Sequence, residues 1–415
     1  MLKPELLAPA KNLERLKVAI AYGADAVYLG GQNYGLRARA DNFTDSELAQ
    51  GVAFSHQHDA KIYVTLNAFL HDADFEGLPD YCQFLESIGV DGVIVSDLGV
   101  IRVVQRNSNL PIHLSTQASC LNSYSALFWK KMGVKRLIVG RELSIAEAGL
   151  IGEQSGIDVE MFTHGAMCMA YSGHCTISNF TAGRDSNRGG CIQSCRLPYH
   201  LQSHDDKADN LVSFMSSRDL WGIYQIGEFF NHNICSLKIE GRMKSSFYVA
   251  LTCKVYRQLI DAYAVGTLDE QRLSQAAAEL QSIPNRDYFS GSLETPADKD
   301  SVFGQLSGIN TGTHSYLGMV MDTTSQEIIL RLVEPLVVGD EIEIIPFHGE
   351  PIGWQVNQIF SMTGERLESM RKDSIVRLPK PDDSVRSHNI TKLNVVRFTR
   401  SPGRSILGKN LVRRV

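Results

Sequence analysis

The chain has 415 residues, 43% hydrophobic and 21% charged, so it can bury a substantial core in two or three domains. No apolar run approaches the roughly 18 residues that a membrane-spanning helix needs, and no signal-peptide segment opens the chain, so a cytoplasmic protein without a membrane partner is expected. The net charge of −5 excludes a globally basic nucleic-acid-binding protein, so any contact with RNA must use a local basic patch.

The first 245 residues repeat one unit, in which a helix-like stretch ends at a Gly-containing turn and passes into a short β-branched run. Eight strand candidates result, at residues 5–8, 23–30, 62–67, 89–96, 112–117, 133–140, 159–164 and 233–240. Short apolar strands separated by amphipathic helices pair in parallel, and eight such units predict a (β/α)8 barrel. A doubly wound open sheet is the competing topology.

The sequence changes character after the barrel. A helix-rich stretch at 246–280 precedes a turn-rich segment, and from about residue 318 alternating strands follow, such as 328–332 and 338–345. We therefore predict an α/β barrel domain at 1–290, a connector at 291–317 and a small all-β domain at 318–415.

A basic tail at 397–415 contains no acidic residue. It is either a surface that contacts RNA phosphates or a solvated terminus. Its basic residues are Arg397, Arg400, Arg404, Lys409, Arg413 and Arg414.

Polar residues follow several predicted strands, and the carboxyl-terminal mouth of a barrel is where such residues build active sites. They are Asn67, His113, Gln117, Arg141, His164, Lys238, Glu240 and Arg242. We take His113, Gln117, His164 and Glu240 as candidate catalytic residues; histidine transfers protons near neutral pH. The alternative is a structural role for these residues. Lys238 would then pair with Glu240, or Arg141 with Glu142, as salt bridges at the barrel rim, and the histidines would be hydrogen-bonded structural residues of the core.

Four cysteines, Cys168, Cys175, Cys191 and Cys195, follow the seventh predicted strand with the spacing C-x6-C-x15-C-x3-C. Four glycines in the same segment let the backbone approach a ligand closely. In a reducing compartment such clustering indicates metal ligands rather than disulfides. An iron–sulfur cluster, a structural zinc ion and four unligated thiols are the three interpretations of the segment. Of the remaining cysteines, only Cys235 is kept as a substitute ligand.

Three stretches, 162–175, 187–196 and 236–242, resemble the signature of the collagenase-like peptidase family, U32. The segments 4–10, 113–118 and 141–144 match as well, so the resemblance covers nearly the whole chain. It implies an RNA hydroxylase that makes 5-hydroxyuridine at the wobble position of tRNA, with a 4Fe–4S cluster on the four clustered cysteines and prephenate as co-substrate. A shorter segment at 196–215 than in some relatives leaves the set of tRNAs open.

Prephenate carries two carboxylates, and arginine is their apt partner because its planar fork binds a carboxylate through two hydrogen bonds. The candidate substrate-binding residues are therefore Arg37, Arg39, Arg141, Arg196 and Arg242, with Asn67 and Lys238 beside them. We expect Arg141 and Arg242 to contribute most.

The alternatives are hydroxylation of a ribosomal RNA cytidine, the peptidase activity that the family name suggests, and a scaffold that the cluster only stiffens. Proteolytic signatures such as H-E-x-x-H and G-x-S-x-G are missing from the sequence. A thiolate bound to iron is also not free to attack a peptide bond. The residues therefore favour RNA modification over proteolysis.

Overall fold

The computed structural model describes residues 2–36, 42–201, 210–296, 301, 312–381 and 390–399. It divides into two compact units, Met1–Leu280 with Pro284–Asn310, and Gln281–Ile283 with Thr311–Val415. The main transition between them falls within the predicted connector, 291–317, although the short segment 281–283 belongs to the second unit. In the described part of the chain, no helix is long and apolar enough to cross a membrane.

Strands and helices alternate through the first unit. Its strands are β1 (Glu5–Pro9), β2 (Ala26–Leu29), β3 (Lys61–Leu66), β4 (Gly92–Val95), β5 (Ile112–Leu114), β6 (Arg136–Ile138), β7 (Asp158–Ala166), β8 (Tyr199–Leu201), β9 (Asn210–Val212), β10 (Asp219–Trp221), β11 (Ser236–Ile239) and β12 (Tyr288–Phe289). The helices are α1 (Leu13–Ala21), α2 (Asp45–His56), α3 (Leu78–Ser87), α4 (Leu98–Asn107), α5 (Ser123–Lys131), α6 (Ile145–Ser155), α7 (Ile177–Ala182), α8 (Ile226–Asn231), α9 (Ser246–Ala264) and α10 (Glu270–Gln281).

Eight parallel strands close into a barrel. The order runs from β1 to β7 in sequence, and β11 pairs with both β7 and β1. Because this last strand joins the two ends of the sheet, the predicted (β/α)8 barrel is confirmed and the open doubly wound sheet is excluded. Outside the barrel, β10 pairs antiparallel with β7 and parallel with β12.

Local sequence explains these elements. Strand residues such as Val27, Val64 and Val93 are fully buried, as expected for parallel strands covered by helices. Helices α2 and α6 each begin at a capping box, in which Thr44 or Ser144 and a glutamate three residues later satisfy each other's backbone N–H groups. Strand β5 ends three residues before the predicted limit because the Ser115 hydroxyl accepts a hydrogen bond from the Gln117 N–H and caps a 3-10 turn.

An ion-pair network crosses the interior of the barrel. The Arg136 guanidinium lies 2.7 Å from the Glu5 carboxylate and 3.3 Å from that of Glu160, and the Lys238 ammonium lies 2.9 Å from the other Glu160 oxygen. Strands β1 and β6 are not neighbours, so the Glu5–Arg136 pair spans the barrel. The Glu160 side chain is completely buried. The predicted rim pair of Lys238 with Glu240 is therefore wrong, since the acidic partner of Lys238 is Glu160.

The second unit is all-β, as predicted. Its strands are β13 (Ser315–Thr323), β14 (Glu327–Leu332), β15 (Leu336–Val337), β16 (Glu341–Ile345), β17 (Ile352–Gln355), β18 (Ile359–Phe360), β19 (Arg366–Leu367), β20 (Ser369–Met370), β21 (Ile375–Pro379) and β22 (Val395–Phe398). Eight of them form an antiparallel sheet in the order β17-β16-β22-β13-β14-β21-β18-β19, and β15 pairs with β20. Its core includes Leu330, Ile344 and Val396. The predicted strand at 338–345 begins only at Glu341, because Val338 and Gly339 form a turn.

Candidate functional site

A cavity of about 620 Å³ lies at the carboxyl ends of the barrel strands. Asn67 after β3, Gln117 after β5, Arg141 after β6 and Glu240 after β11 all line it. This is the end of a (β/α)8 barrel at which active sites form. The barrel mouth is therefore the candidate site.

All four clustered cysteines line this cavity, as does the segment that joins the first two of them. Cys168 and Cys191 are exposed and Cys175 and Cys195 half-buried. Burial raises the pKa of the Cys195 thiol; Arg196 lowers it, and negative charge on the other three cysteines raises it further. The four cysteines therefore lie around one cavity.

Four thiols around one cavity are a donor set suited to iron–sulfur clusters, in which each cysteine binds a separate iron. Among the described residues, no three His, Cys, Asp or Glu side chains form a recognisable site for a single metal ion. Cys235 lies outside the cavity, immediately before β11, where its N–H donates to the carbonyl oxygen of Val159. Its position separates it from the four sulfurs.

Gly173 anchors the cysteine segment against the barrel. Its φ of +83° is in the left-handed region, and a Cβ there would overlap the backbone carbonyl of Gln117. We expect Gly173→Ala to lower the free energy of unfolding by about 2–4 kcal/mol, because backbone strain adds to overpacking.

The matched control for this variant is Gly183→Ala. Gly183 also has a positive φ, +60°, but no described atom lies within 4 Å of a Cβ added there. The control should lose about 1 kcal/mol. Equal losses in urea unfolding would contradict the anchoring role.

The cavity is strongly cationic. Among the described residues that line it, seven are basic and only Glu240 is acidic. The basic residues are Arg141, Arg184, Arg196, Lys238, Arg242, Lys244 and Arg286. Such a lining attracts anions and repels other cations.

Arg141 and Arg242, the two arginines expected to bind a carboxylate, both reach the cavity. The Arg141 guanidinium lies 4.0 Å from the centre of the Phe162 ring and donates a 2.7 Å hydrogen bond to the Ser172 hydroxyl. Arg242 donates a 2.9 Å bond to the Asn42 side chain. The two guanidinium groups are therefore held in fixed orientations. A fixed, planar guanidinium can bind a planar carboxylate through two hydrogen bonds.

The remaining predicted polar residues also line the cavity. Asn67 donates to the Ser115 hydroxyl and accepts from the backbone N–H of Leu36, so its amide is oriented. Lys238 lies over the Tyr28 ring at 4.2 Å, and Glu240 accepts a 3.2 Å hydrogen bond from the Tyr28 hydroxyl. Gln117 is half-buried at the mouth.

His113 does not line the cavity. It lies inside β5, is 5% exposed and has its ring centre 4.5 Å from that of Tyr63. Burial, followed by the positive charges of Arg136 and Lys238, holds its pKa well below the usual value. His113 is therefore a neutral core residue at neutral pH.

His164 is also separated from the cavity lining. Its ring lies within 6 Å of the rings of Tyr248, Tyr256 and Tyr288, and Nδ1 is 3.3 Å from the Tyr256 hydroxyl. Burial, with a smaller effect from Lys244, lowers the pKa of His164 to about 3. The structure thus places neither candidate histidine where it can exchange a proton with a ligand in the cavity.

Three of the predictions concern residues that lie wholly or partly outside the described part of the chain. Arg37 and Arg39 lie there, as does the predicted basic tail from Arg400 onward. Arg397 is described, and it is not part of a solvated tail: it is 4% exposed in β22 and pairs with Glu343 at 2.7 Å.

Lys244 and Arg286 line the cavity but were missed by the sequence analysis. Charged residues recur at every second position at Lys238, Glu240 and Arg242, and the same spacing continues to Lys244. This pattern could have predicted that Lys244 also lies at the barrel mouth. Arg286 lies far from any barrel strand in sequence and reaches the mouth because β12 pairs with β10.

Comparison with known proteins places these features in a family context. A family model described as peptidase family U32 matches residues 11–302. A Bacillus subtilis relative, tRNA hydroxylation protein P1, is 42% identical, with 89% of this chain and 90% of that protein covered. An Escherichia coli relative, 23S rRNA 5-hydroxycytidine C2501 synthase, is 33% identical over 87% of this chain and 55% of its own. A Porphyromonas gingivalis collagenase is 30% identical over 69% of this chain and 72% of its own.

Proposed function

This chain belongs to peptidase family U32, and within that family we propose that it hydroxylates tRNA, converting wobble uridine to 5-hydroxyuridine. Its co-substrate is prephenate, and Cys168, Cys175, Cys191 and Cys195 hold a 4Fe–4S cluster. The observation that carries the proposal is one cavity that combines four thiols with seven basic side chains. The similarity to a tRNA hydroxylation protein over most of both chains supports the choice of substrate.

Uridine hydroxylation at C5 replaces a C–H bond by a C–O bond; in net terms the ring and a water molecule give the hydroxylated ring, two protons and two electrons, and an external oxidant must accept these electrons. A bound cluster would supply a redox centre at the cavity wall. The basic lining draws in the charged RNA and the dicarboxylate, and Arg141 and Arg242 orient the carboxylates through their fixed forks. Asn67 and Gln117 have both amide donors and amide acceptors, which complement the edge of a uracil base.

The proposal favours RNA over peptides as the substrate. Thiolates that ligate iron are not available as nucleophiles. The candidate histidines His113 and His164, which a cysteine protease would need beside its thiol, are buried away from the cavity lining. Ribosomal RNA cytidine hydroxylation is the second candidate, supported by the similarity to the E. coli synthase.

Nucleoside mass spectrometry of tRNA and ribosomal RNA from a deletion strain tests the function. We expect 5-hydroxyuridine to vanish from tRNA and to return with the wild-type gene. Arg141→Lys keeps the positive charge but loses the planar guanidinium. The variant gene should therefore restore about one tenth or less of the modification in the deletion strain, which corresponds to a loss of about 1.4 kcal/mol or more in interaction free energy. Arg106→Lys, the same change at an exposed position on α4, should restore it fully.

Unchanged 5-hydroxyuridine in the deletion strain would contradict the proposal. Loss of 5-hydroxycytidine from ribosomal RNA instead would establish the second candidate. Intact RNA modification together with gelatin cleavage by the purified protein would support the peptidase.

A further inference from the structure

Three basic side chains meet on one side of the cavity. Arg196 follows the last clustered cysteine, Lys244 lies between β11 and α9, and Arg286 precedes β12. Lys244 and Arg286 share the carboxylate of Asp219, from which they lie 3.9 Å and 3.6 Å away. Two chain segments distant in sequence are thus held together around one buried carboxylate, and Arg196 is hydrogen-bonded to Ser216 and Ser217 just before it.

The charge of this group is not balanced. Asp219 is 2% exposed and is the acidic partner of both Lys244 and Arg286. Burial lowers the pKa of Lys244; Asp219 raises it, Arg286 and Arg196 lower it, and Glu240 raises it by the smallest amount. The three cations therefore repel one another, and the carboxylates of Asp219 and Glu240 offset their charge only in part.

Arg196 is fixed without an ion pair in the described part of the chain. It donates to the backbone carbonyls of Met167 and Ser217 and, at 3.4 Å, to the Ser216 hydroxyl. All three acceptors are neutral, so they orient the guanidinium without forming an ion pair with it. A bound anion would form a charge-assisted hydrogen bond with this guanidinium.

We propose that Arg196, Lys244 and Arg286 form a phosphate subsite, which binds a backbone phosphodiester of the RNA next to the nucleotide whose base enters the cavity. This inference rests on the proposed function. A base must leave its stack to reach a site inside a protein, and its flanking phosphates then stay at the entrance. The side chains of Lys244 and Arg286 are 28% and 17% exposed, so both are reachable from the mouth.

Two other anions compete for the same group. Burial and the positive charge of Arg286 lower the pKa of Arg196, whereas negative charge on Cys195, Asp219 and Cys168 raises it, so Arg196 lies near two of the proposed cluster ligands. The three cations would then serve to neutralise the cluster rather than to bind RNA. A carboxylate of the co-substrate is the other competitor.

The experiment measures tRNA binding by the full chain, purified anaerobically, over a series of salt concentrations. Lys244→Met and Arg286→Met are compared with Lys131→Met, which removes the same charge from an exposed position on α5. Loss of one phosphate contact should reduce the slope of log K against log salt by about 0.7–0.9. We expect this reduction in both cavity variants, an unchanged slope in the control, and wild-type iron content in all three.

Arg286→Lys provides a second measurement, which stays informative even if methionine at position 286 disturbs the fold. It keeps the charge, so its slope should match that of the wild type even if its affinity falls. An unchanged slope in Lys244→Met and Arg286→Met, with tRNA binding intact in the wild type, overturns the subsite alone. Loss of iron in these variants assigns the group to the cluster, and weakened prephenate binding with an unchanged slope assigns it to the carboxylate. If the wild type binds no tRNA, the proposed function itself is contradicted.

Discussion

Cys191→Ala protein purified without oxygen should be nearly colourless and should leave tRNA unmodified. The wild type should be brown and contain about four irons per chain, because under the proposed function the four cavity thiols hold a 4Fe–4S cluster. Removing one of these thiols would leave one iron without its thiolate ligand. Iron analysis, absorption spectra and nucleoside mass spectrometry of the same preparations measure the effect.

Cys235→Ala is the control for this variant. Cys235 is outside the cavity, and burial raises the pKa of its thiol to about 12, with Arg136 lowering it in part. A half-buried thiol that stays protonated is a poor ligand. The control should therefore keep its iron and its activity. If it loses iron while Cys191→Ala keeps it, the ligand set is wrong.

Glu160→Met should be among the most destabilising single substitutions in the barrel, lowering the free energy of unfolding by about 3–5 kcal/mol. The carboxylate is completely buried and pairs with both Arg136 and Lys238. Removing it leaves two cations in the barrel interior, of which Arg136 still pairs with Glu5. Urea unfolding at neutral pH measures the loss.

A double variant distinguishes the effect of an unpaired buried charge on stability from the effect of altered packing. Adding Lys238→Met to Glu160→Met removes one of the stranded cations, so the double variant should be more stable than Glu160→Met alone. Activity should still be lost, because Lys238 also lines the cavity. A double variant that is less stable than the single one would mean that the loss comes from packing rather than from an unpaired charge.

The barrel could be predicted because its signals are local. Short β-branched runs such as those of β2 and β4 recur at regular intervals, and each is buried on both faces. The position of the four cysteines at the mouth followed from the same logic, since they come directly after β7. Closure of the sheet by β11 is the consequence of having eight such units.

Side-chain partners could not be predicted in this way. Nothing near Lys238 in sequence identifies Glu160, 78 residues earlier, as its partner. His164 has the sequence context of a strand-end catalytic residue, yet helix α9 and β12 bring three tyrosines around it. Arg286 reaches the cavity through the β10–β12 pairing. Such contacts depend on tertiary packing, which periodicity does not encode.

Closure of the barrel by β11 also sets the order of events during synthesis. Glu5 pairs with Ser236, so the edge of β1 has no partner until more than 230 further residues have left the ribosome. At about 5–20 residues per second, this interval lasts roughly ten seconds to three-quarters of a minute. The cysteine segment is complete well before it ends. The nascent chain therefore exposes an unpaired sheet edge and four thiols at the same time, and such an edge can pair with another chain.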